Sequence, residues 1–436
     1  MRFSPYFVIA FALSFALPDV FFLQEASAAS SNLLTSTSPT LSILSLADAQ
    51  RLAAKDAPQI EAQAAVLRAA QQGAISAGEQ ADPKLIVGID NLPVDTTDKF
   101  NFTRDFMTMR KIGFMQEFTR SEKLKLRGDR ADTEIRKEEA ILVLVKITLR
   151  RDVAVAWFDR YFAERQLDLL KESAREGELQ IVAAQAALAG GKGQAADPFA
   201  ARMVVAQFDD KVIDGERLVA RAKANLARWI GVAAKQPLDV APAFDQLAHR
   251  HADLIAGLEN HPQLAIYAPL QAIADKEVRL AEAAKHPDWS LEVAYARRGP
   301  AFSNMLSIGV RVDLPIFQSR RQEPGIAAKL AMAEQVRAQT EDARRVHESE
   351  VESMLADWDA ARARVQRYDQ TLLPLAHERT ELALAAYRGG KGDLAPVLDA
   401  RRGEIEMRIN HLLAQSEMAR VWANLNFMLP DAKESK

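Results

Sequence analysis

Between Pro93 and Pro198 the sequence has no proline, and Ser121–Ala189 is a continuous run of good helix formers. At about 1.5 Å per residue, one helix over that run is roughly 100 Å long, far longer than a globular domain is wide. A second run, Ile326–Arg388, is nearly as long and is interrupted only by Pro374. Ile141, Leu144, Val145, Leu149, Val153 and Trp157 recur at three- and four-residue steps, the spacing that coiled-coil packing needs. Long, packed rods therefore dominate any fold open to this chain.

The rods belong to a unit written twice. "DAPQI" (Asp56–Ile60) matches "NHPQL" (Asn260–Leu264), setting Pro58 opposite Pro262. "ADPKLIVGID" (Ala81–Asp90) matches "KHPDWSLEVA" (Lys285–Ala294), setting Pro83 opposite Pro287 at the same spacing. "MRKIGFMQEF" (Met109–Phe118) then matches "MLSIGVRVDL" (Met305–Leu314), with Gly113 opposite Gly309. Matches that keep their order while the spacing drifts slightly indicate a duplicated unit of roughly 200 residues with loops of unequal length. Each unit reads helix, strand, loop, strand, long helix, bend, helix. The expected division is 1–28 as an export signal, 29–250 as the first unit and 251–436 as the second.

The export signal rests on Arg2, the apolar run Tyr6–Leu17 and the small residues of Ala26-Ser27-Ala28. No stretch after it is long and apolar enough for a transmembrane helix. An exported chain of this kind is either soluble or crosses a membrane as β-strands. The 436 residues carry a net charge of −3 with mixed signs, which gives no reason to expect nucleic acid. There is no cysteine, which excludes disulfides, thiolate metal sites, cysteine nucleophiles and a lipid-modified N-terminal cysteine.

The strands have a period of two. Trp289, Leu291, Val293 and Tyr295 face one way, while Ser290, Glu292, Ala294 and Ala296 face the other. Leu306, Ile308, Val310, Val312 and Leu314 alternate with small or polar residues in the same way. A membrane barrel with a polar interior has this pattern, and so does a half-buried sheet; the long rods favour the barrel. Four strands cannot close a barrel, so several chains would have to contribute.

The two bends repeat as well. Gly190-Gly191-Lys192-Gly193 and Gly389-Gly390-Lys391-Gly392 each follow a helical run. A phosphate loop needs a strand before it and Ser or Thr after its lysine, and neither copy has them. Both read as helix-to-helix turns.

With these features the chain resembles the TolC-type outer-membrane efflux proteins over nearly its whole length after the signal. The likeness rests on the duplicated unit and on "AYRGGKGDLAPVLDARRGEIE" (Ala386–Glu406). "DPKLIVGIDNLP" and the tract after it resemble the heavy-metal branch. The resemblance implies a mainly α fold with a membrane β-barrel portion, assembled as a homotrimer. Twelve strands would form one barrel, and coiled-coil helices a tube across the periplasm. It implies an outer-membrane exit duct for a tripartite pump. The partners would be a periplasmic adaptor (a membrane fusion protein) and an inner-membrane pump of the resistance-nodulation-division type, with heavy-metal cations as a candidate cargo. By position, Gly190, Gly191, Lys192 and Asp197 fall at the first adaptor-docking tip, and Tyr387, Gly390 and Lys391 at the second. Asp399 falls in the carboxylate ring that narrows the closed end. Pro396 stands where many relatives carry an acid, which thins that ring.

"HERTE" (His377–Glu381) lacks the second histidine of a zinc-protease helix, and "HESEVE" (His347–Glu352) reads as a solvated face. Met107, Met109 and Met115 are possible soft ligands, with Met107 and Met109 on one strand face, although packing contact is the simpler role. The seven histidines show no cluster along the sequence. No nucleophile-plus-base arrangement stands out, so no enzyme and no cofactor are expected. The competing classes are a periplasmic adaptor, which has one hairpin rather than a duplicated unit, and a soluble helical periplasmic binding protein, which lacks the alternating strands.

Overall fold

The computed structural model describes residues 43–191 and 193–429. The expected export signal and Lys192 lie outside the described residues. The chain is mostly helical, with one small antiparallel sheet. Its first helix, Leu46–Lys55 (α1), starts at Ser45, whose hydroxyl accepts the Asp48 N–H at 3.1 Å. This is the capping expected of Ser-x-x-Asp. Pro58–Ala77 (α2) has proline in its first turn, where the missing N–H costs nothing. It stops short of Gln80, whose side chain donates to the Thr119 carbonyl at 3.1 Å and accepts the Thr119 N–H at 2.9 Å.

The strands are Lys84–Asp90 (β1), Met109–Phe118 (β2), Trp289–Arg297 (β3) and Met305–Val312 (β4). They lie in the order β1-β2-β3-β4, all antiparallel. Gly113 sits opposite Ala294, and a Cβ on Gly113 would come within 2.7 Å of the Ala294 methyl, so this close approach requires glycine. β2 and β3 come from different copies of the unit, so the sheet itself joins the two copies.

Ser121–Ala189 (α3) is one helix of 69 residues, and it packs antiparallel against Asp197–Ile230 (α4). In the second copy Tyr267–Ala283 (α5) precedes the strands, and Gln322–Arg367 (α6), Leu373–Arg388 (α7) and Leu394–Asn426 (α8) follow them. The expected break at Pro374 is milder than a break: a π-helical turn, Tyr368–Leu372, joins α6 to α7 without reversing the chain. Proline cannot donate to the carbonyl four residues back and its ring crowds that carbonyl, and the wider π turn accommodates both defects.

The main core lies midway along the rods. Trp157, Phe158, Phe162, Trp358, Val351 and Ala419 are buried there, with Trp422 edge-on to Phe158 at a ring distance of 5.8 Å. Two indole N–H groups of this core find carbonyls: Trp157 donates to Leu44 at 3.2 Å and Trp422 to Gln246 at 2.8 Å. The buried guanidinium of Arg160 donates to the carbonyls of Ala234 and Gln236, each at 2.7 Å. The Arg160 bonds hold the linker between the two copies against α3, the Trp422 bond holds it against α8, and the Trp157 bond ties the segment before α1 to α3.

Candidate functional site

The register of the sheet builds two faces of opposite character. Leu85 pairs with Phe114, Phe114 with Val293, and Val293 with Ile308, so all four side chains lie on one side. Val87, Ile112, Tyr295 and Leu306 form the next row. These side chains stand in the open, with Val87 71% and Ile308 69% exposed. An apolar surface continuous over four strands exceeds what a soluble monomer ordinarily shows. The band ends in an aromatic pair toward the helices, Phe118 stacked on Trp289 at 4.3 Å, and in Arg110 opposite Arg297 toward the loops. Eight residue steps separate these limits, about 27 Å along a strand and roughly 20 Å in height at barrel tilt, close to the apolar band of outer-membrane barrels. Among the described residues no helix is long and apolar enough to cross a membrane.

The opposite face is polar or small. Glu292 receives Lys111 at 2.7 Å and Arg311 at 3.6 Å across three strands, and Lys84 meets Glu117 at 2.6 Å. Ser290, Ala294 and Ala296 fill the gaps. Met115 is on this face and accepts an Arg311 N–H at 3.4 Å. Met107 does not share a strand face with Met109, contrary to the sequence reading. It lies in the loop before β2, where the Asp105 carboxylate accepts the Met107 and Thr108 N–H groups at 2.6 and 3.2 Å and turns the chain.

The far ends of the hairpins are two turns built alike. Gly190 N–H bonds Ala186 O at 2.9 Å and Gly191 N–H bonds Leu188 O at 3.1 Å; Gly389 and Gly390 make the same bonds to Ala385 and Tyr387 at 2.9 and 3.0 Å. Gly191 has φ +71° and Gly390 has φ +67°, the left-handed conformation that glycine adopts without strain. Asp197 opens α4 and its carboxylate accepts the Gln194 N–H at 2.9 Å. Ala184, Ala201, Leu394, Val397 and Leu398 are buried together, with Tyr387 packed against them, so both hairpins meet just behind their turns.

Asp399 is on α8, exposed, and paired with Arg402 at 2.9 Å. Its neighbour Arg401 points instead to Glu176 of α3, at 2.9 Å from Nε, and to Glu404 at 2.8 Å. Glu404 is buried and also receives Arg408 at 2.8 Å and His377 at 3.2 Å. Burial alone would raise the Glu404 carboxyl, but the Thr380 hydroxyl, Arg401 and His377 hold it below its ordinary value. This hub ties α3, α7 and α8 together. Sequence reasoning missed it because Glu176 is far away along the chain, though the three- and four-residue spacing of Arg401, Glu404 and Arg408 was visible.

The histidines also differ from expectation. His261, in the turn before Pro262–Ala265, and His347, on α6, bring their rings together, with Nδ1 of His261 2.8 Å from Nε2 of His347. Both are buried. Burial, and next the neighbouring ring, lower His261 from 6.5 to about 4; burial also lowers His347, opposed by Glu350.

With this geometry in view, the relatives can be compared. The outer membrane efflux protein family matches residues 256–429. The chain carries a domain of that family. The cobalt-zinc-cadmium resistance protein CzcC of Cupriavidus metallidurans is 27% identical over 281 residues, 63% of this chain and 66% of that protein. The chain thus spans just under two thirds of that relative's length. The crystal structure of the outer membrane protein VceC from Vibrio cholerae has a TM-score of 0.74 at 18% identity, covering 88% of this chain and 95% of that one. CusC gives a TM-score of 0.74 at 17% identity, over 88% and 92%. The open-state outer membrane channel MtrE of Neisseria gonorrhoeae gives 0.66 at 15% identity, over 88% of each chain. The fold is that of these channels.

Two outcomes are expected. Val293→Arg, in the middle of β3, should cost about 2–4 kcal/mol if the apolar face meets lipid near the bilayer midplane. Outer-membrane yield of the variant checks this, and a yield equal to wild type contradicts it. His261 has a folded-state pKa below its unfolded value, so its contribution is present above about pH 6.5 and is lost as pH falls toward 4. The full effect is about 3 kcal/mol per chain. Denaturation midpoints measured at pH 7.5 and 5 should differ more in wild type than in His261→Gln, and equal differences would remove the assignment.

Proposed function

We propose that this protein is the outer-membrane exit duct of a tripartite efflux pump. The observation that carries the reading is the sheet: one side is apolar and exposed but for Gln116, the other polar, and helices up to 69 residues long extend from it. A sheet so built suits lipid on one side and a water-filled lumen on the other. Its four strands leave two open edges, and three copies would close a barrel of twelve. The long helices of three chains would then enclose a periplasmic tube. The overlay on VceC and CusC supports this arrangement through the fold, and the kinship to CzcC supports heavy-metal cations as the cargo class.

In this reading the two glycine turns, with Gly190, Gly191, Lys192, Asp197, Tyr387, Gly390 and Lys391, are the tips that dock on a periplasmic adaptor. The adaptor in turn would hold an inner-membrane pump of the resistance-nodulation-division type. Asp399 is about two helical turns from the Gly392 bend, so threefold symmetry would gather three copies around the axis near the narrow end. Like charges held that close favour bound cations and a guarded aperture. The Arg402 partner is exposed and holds Asp399 only weakly, so the carboxylate is free to take part in such a ring.

Fractionation of cells tests the duct itself. The protein should pellet with outer membranes and run as a heat-sensitive trimer, and a soluble monomer would overturn the reading. Planar-bilayer conductance tests the gate separately. Asp399→Ala should weaken block by divalent cations at unchanged trimer yield, and block identical to wild type would remove Asp399 from the gate while leaving the duct intact.

A further inference from the structure

We infer that His261 and His347 form a binding site for a single transition-metal cation of imidazole preference, such as Zn2+, Co2+ or Ni2+. Nδ1 of one ring and Nε2 of the other converge at 2.8 Å, and the rings stand edge to face at 75°. Two nitrogens bound to one tetrahedral Zn2+ at about 2.05 Å lie roughly 3.3 Å apart, so each ring needs to retreat only about 0.3 Å. Both imidazoles are buried, and imidazole ligates a metal in its neutral form.

The surroundings fit the same chemistry. The outer nitrogen of His347, Nδ1, has the Glu350 carboxylate 3.6 Å away. A carboxylate behind a ligating histidine fixes its tautomer and raises its basicity. Nε2 of His261 is buried without a hydrogen bond, and so is Oε1 of Gln263, two residues on. Gln263 and Glu350 line one cavity together with Thr148, Arg151 and Ser353, and neither histidine lines it. No net proton is released on binding. The proton shared between the rings moves to an outer nitrogen, leaving His261 protonated on Nε2 and His347 on Nδ1, toward Glu350.

The fold does not require an imidazole here. In the matched first copy, the residue before the corresponding Pro58 is Ala57, and that turn also opens a helix. A buried imidazole pair, with His261 placed where the duplicate uses alanine, has the marks of a site and not of packing. The inference stands whether or not the chain is an exit duct.

Metal titration of the full-length protein in detergent tests it, after stripping with chelator. Wild type should bind one more Zn2+ per chain than His261→Gln or His347→Gln. Glu350→Gln should keep the site but weaken it by about 10- to 100-fold. Replacement of the exposed His251 by Gln should change nothing. Equal stoichiometry in wild type and His261→Gln would overturn the site. Should the histidine variants fail to fold, crystals of wild type soaked in Zn2+ decide the matter. An anomalous peak between the two rings supports the assignment, and peaks only elsewhere refute it.

Discussion

Two open sheet edges are the constraint on which the proposed duct depends. β1 and β4 each have one unpaired side, and a hydrocarbon environment offers no water to their N–H and C=O groups. The apolar face, by contrast, is unsuited to water. A four-stranded sheet of this kind has no comfortable environment alone. It is satisfied when its edges find strands of other copies, and the helices attached to those strands must then come together as well. In the proposed trimer, barrel closure and tube closure would thus be one event.

Within the chain, the two copies of the unit are bound at four levels along its length. β2 and β3 join them by backbone hydrogen bonds. The aromatic core around Trp157 and Trp422 joins them by apolar burial, with Arg160 and the Trp422 indole satisfying carbonyls of the crossing linker. Near the tips, the Glu176–Arg401–Glu404 hub supplies charge-assisted bonds, with Arg408 and His377 also on the buried Glu404 carboxylate. Hydrophobic contact closes the last turns behind Gly191 and Gly390.

Much of this could be read along the sequence because it is periodic. Helix α3 begins and ends where its run of helix formers does, since Gly190 stops it and Arg120 precedes it in extended backbone. Alternation assigned Trp289, Val293 and Tyr295 to one face and Ala294 to the other, and the strand register agrees. Local chemistry was legible too, as the Ser45 cap shows. What stayed hidden were contacts between residues far apart in the chain with no repeating signal. The His261–His347 pair and the reach of Arg401 to Glu176 are of that kind. Strand ends were also blurred, because the Asp105 turn displaced Met107 from the strand that the pattern had given it.

The π turn at Tyr368–Leu372 has a geometric consequence for the second rod. One added residue rotates all that follows by about 100° around the helix axis. The stripe that α6 turns toward the core through Val351, Leu355 and Trp358 therefore does not run on along α7. The angle at which α7 presents Tyr387 and Thr380 is set at the bulge, where Asp369 lies 3.0 Å from His411 of α8. The bulge acts as a phase shifter: it lets one continuous rod follow the equatorial core along half its length and the opposite hairpin along the other half, with no loop between them.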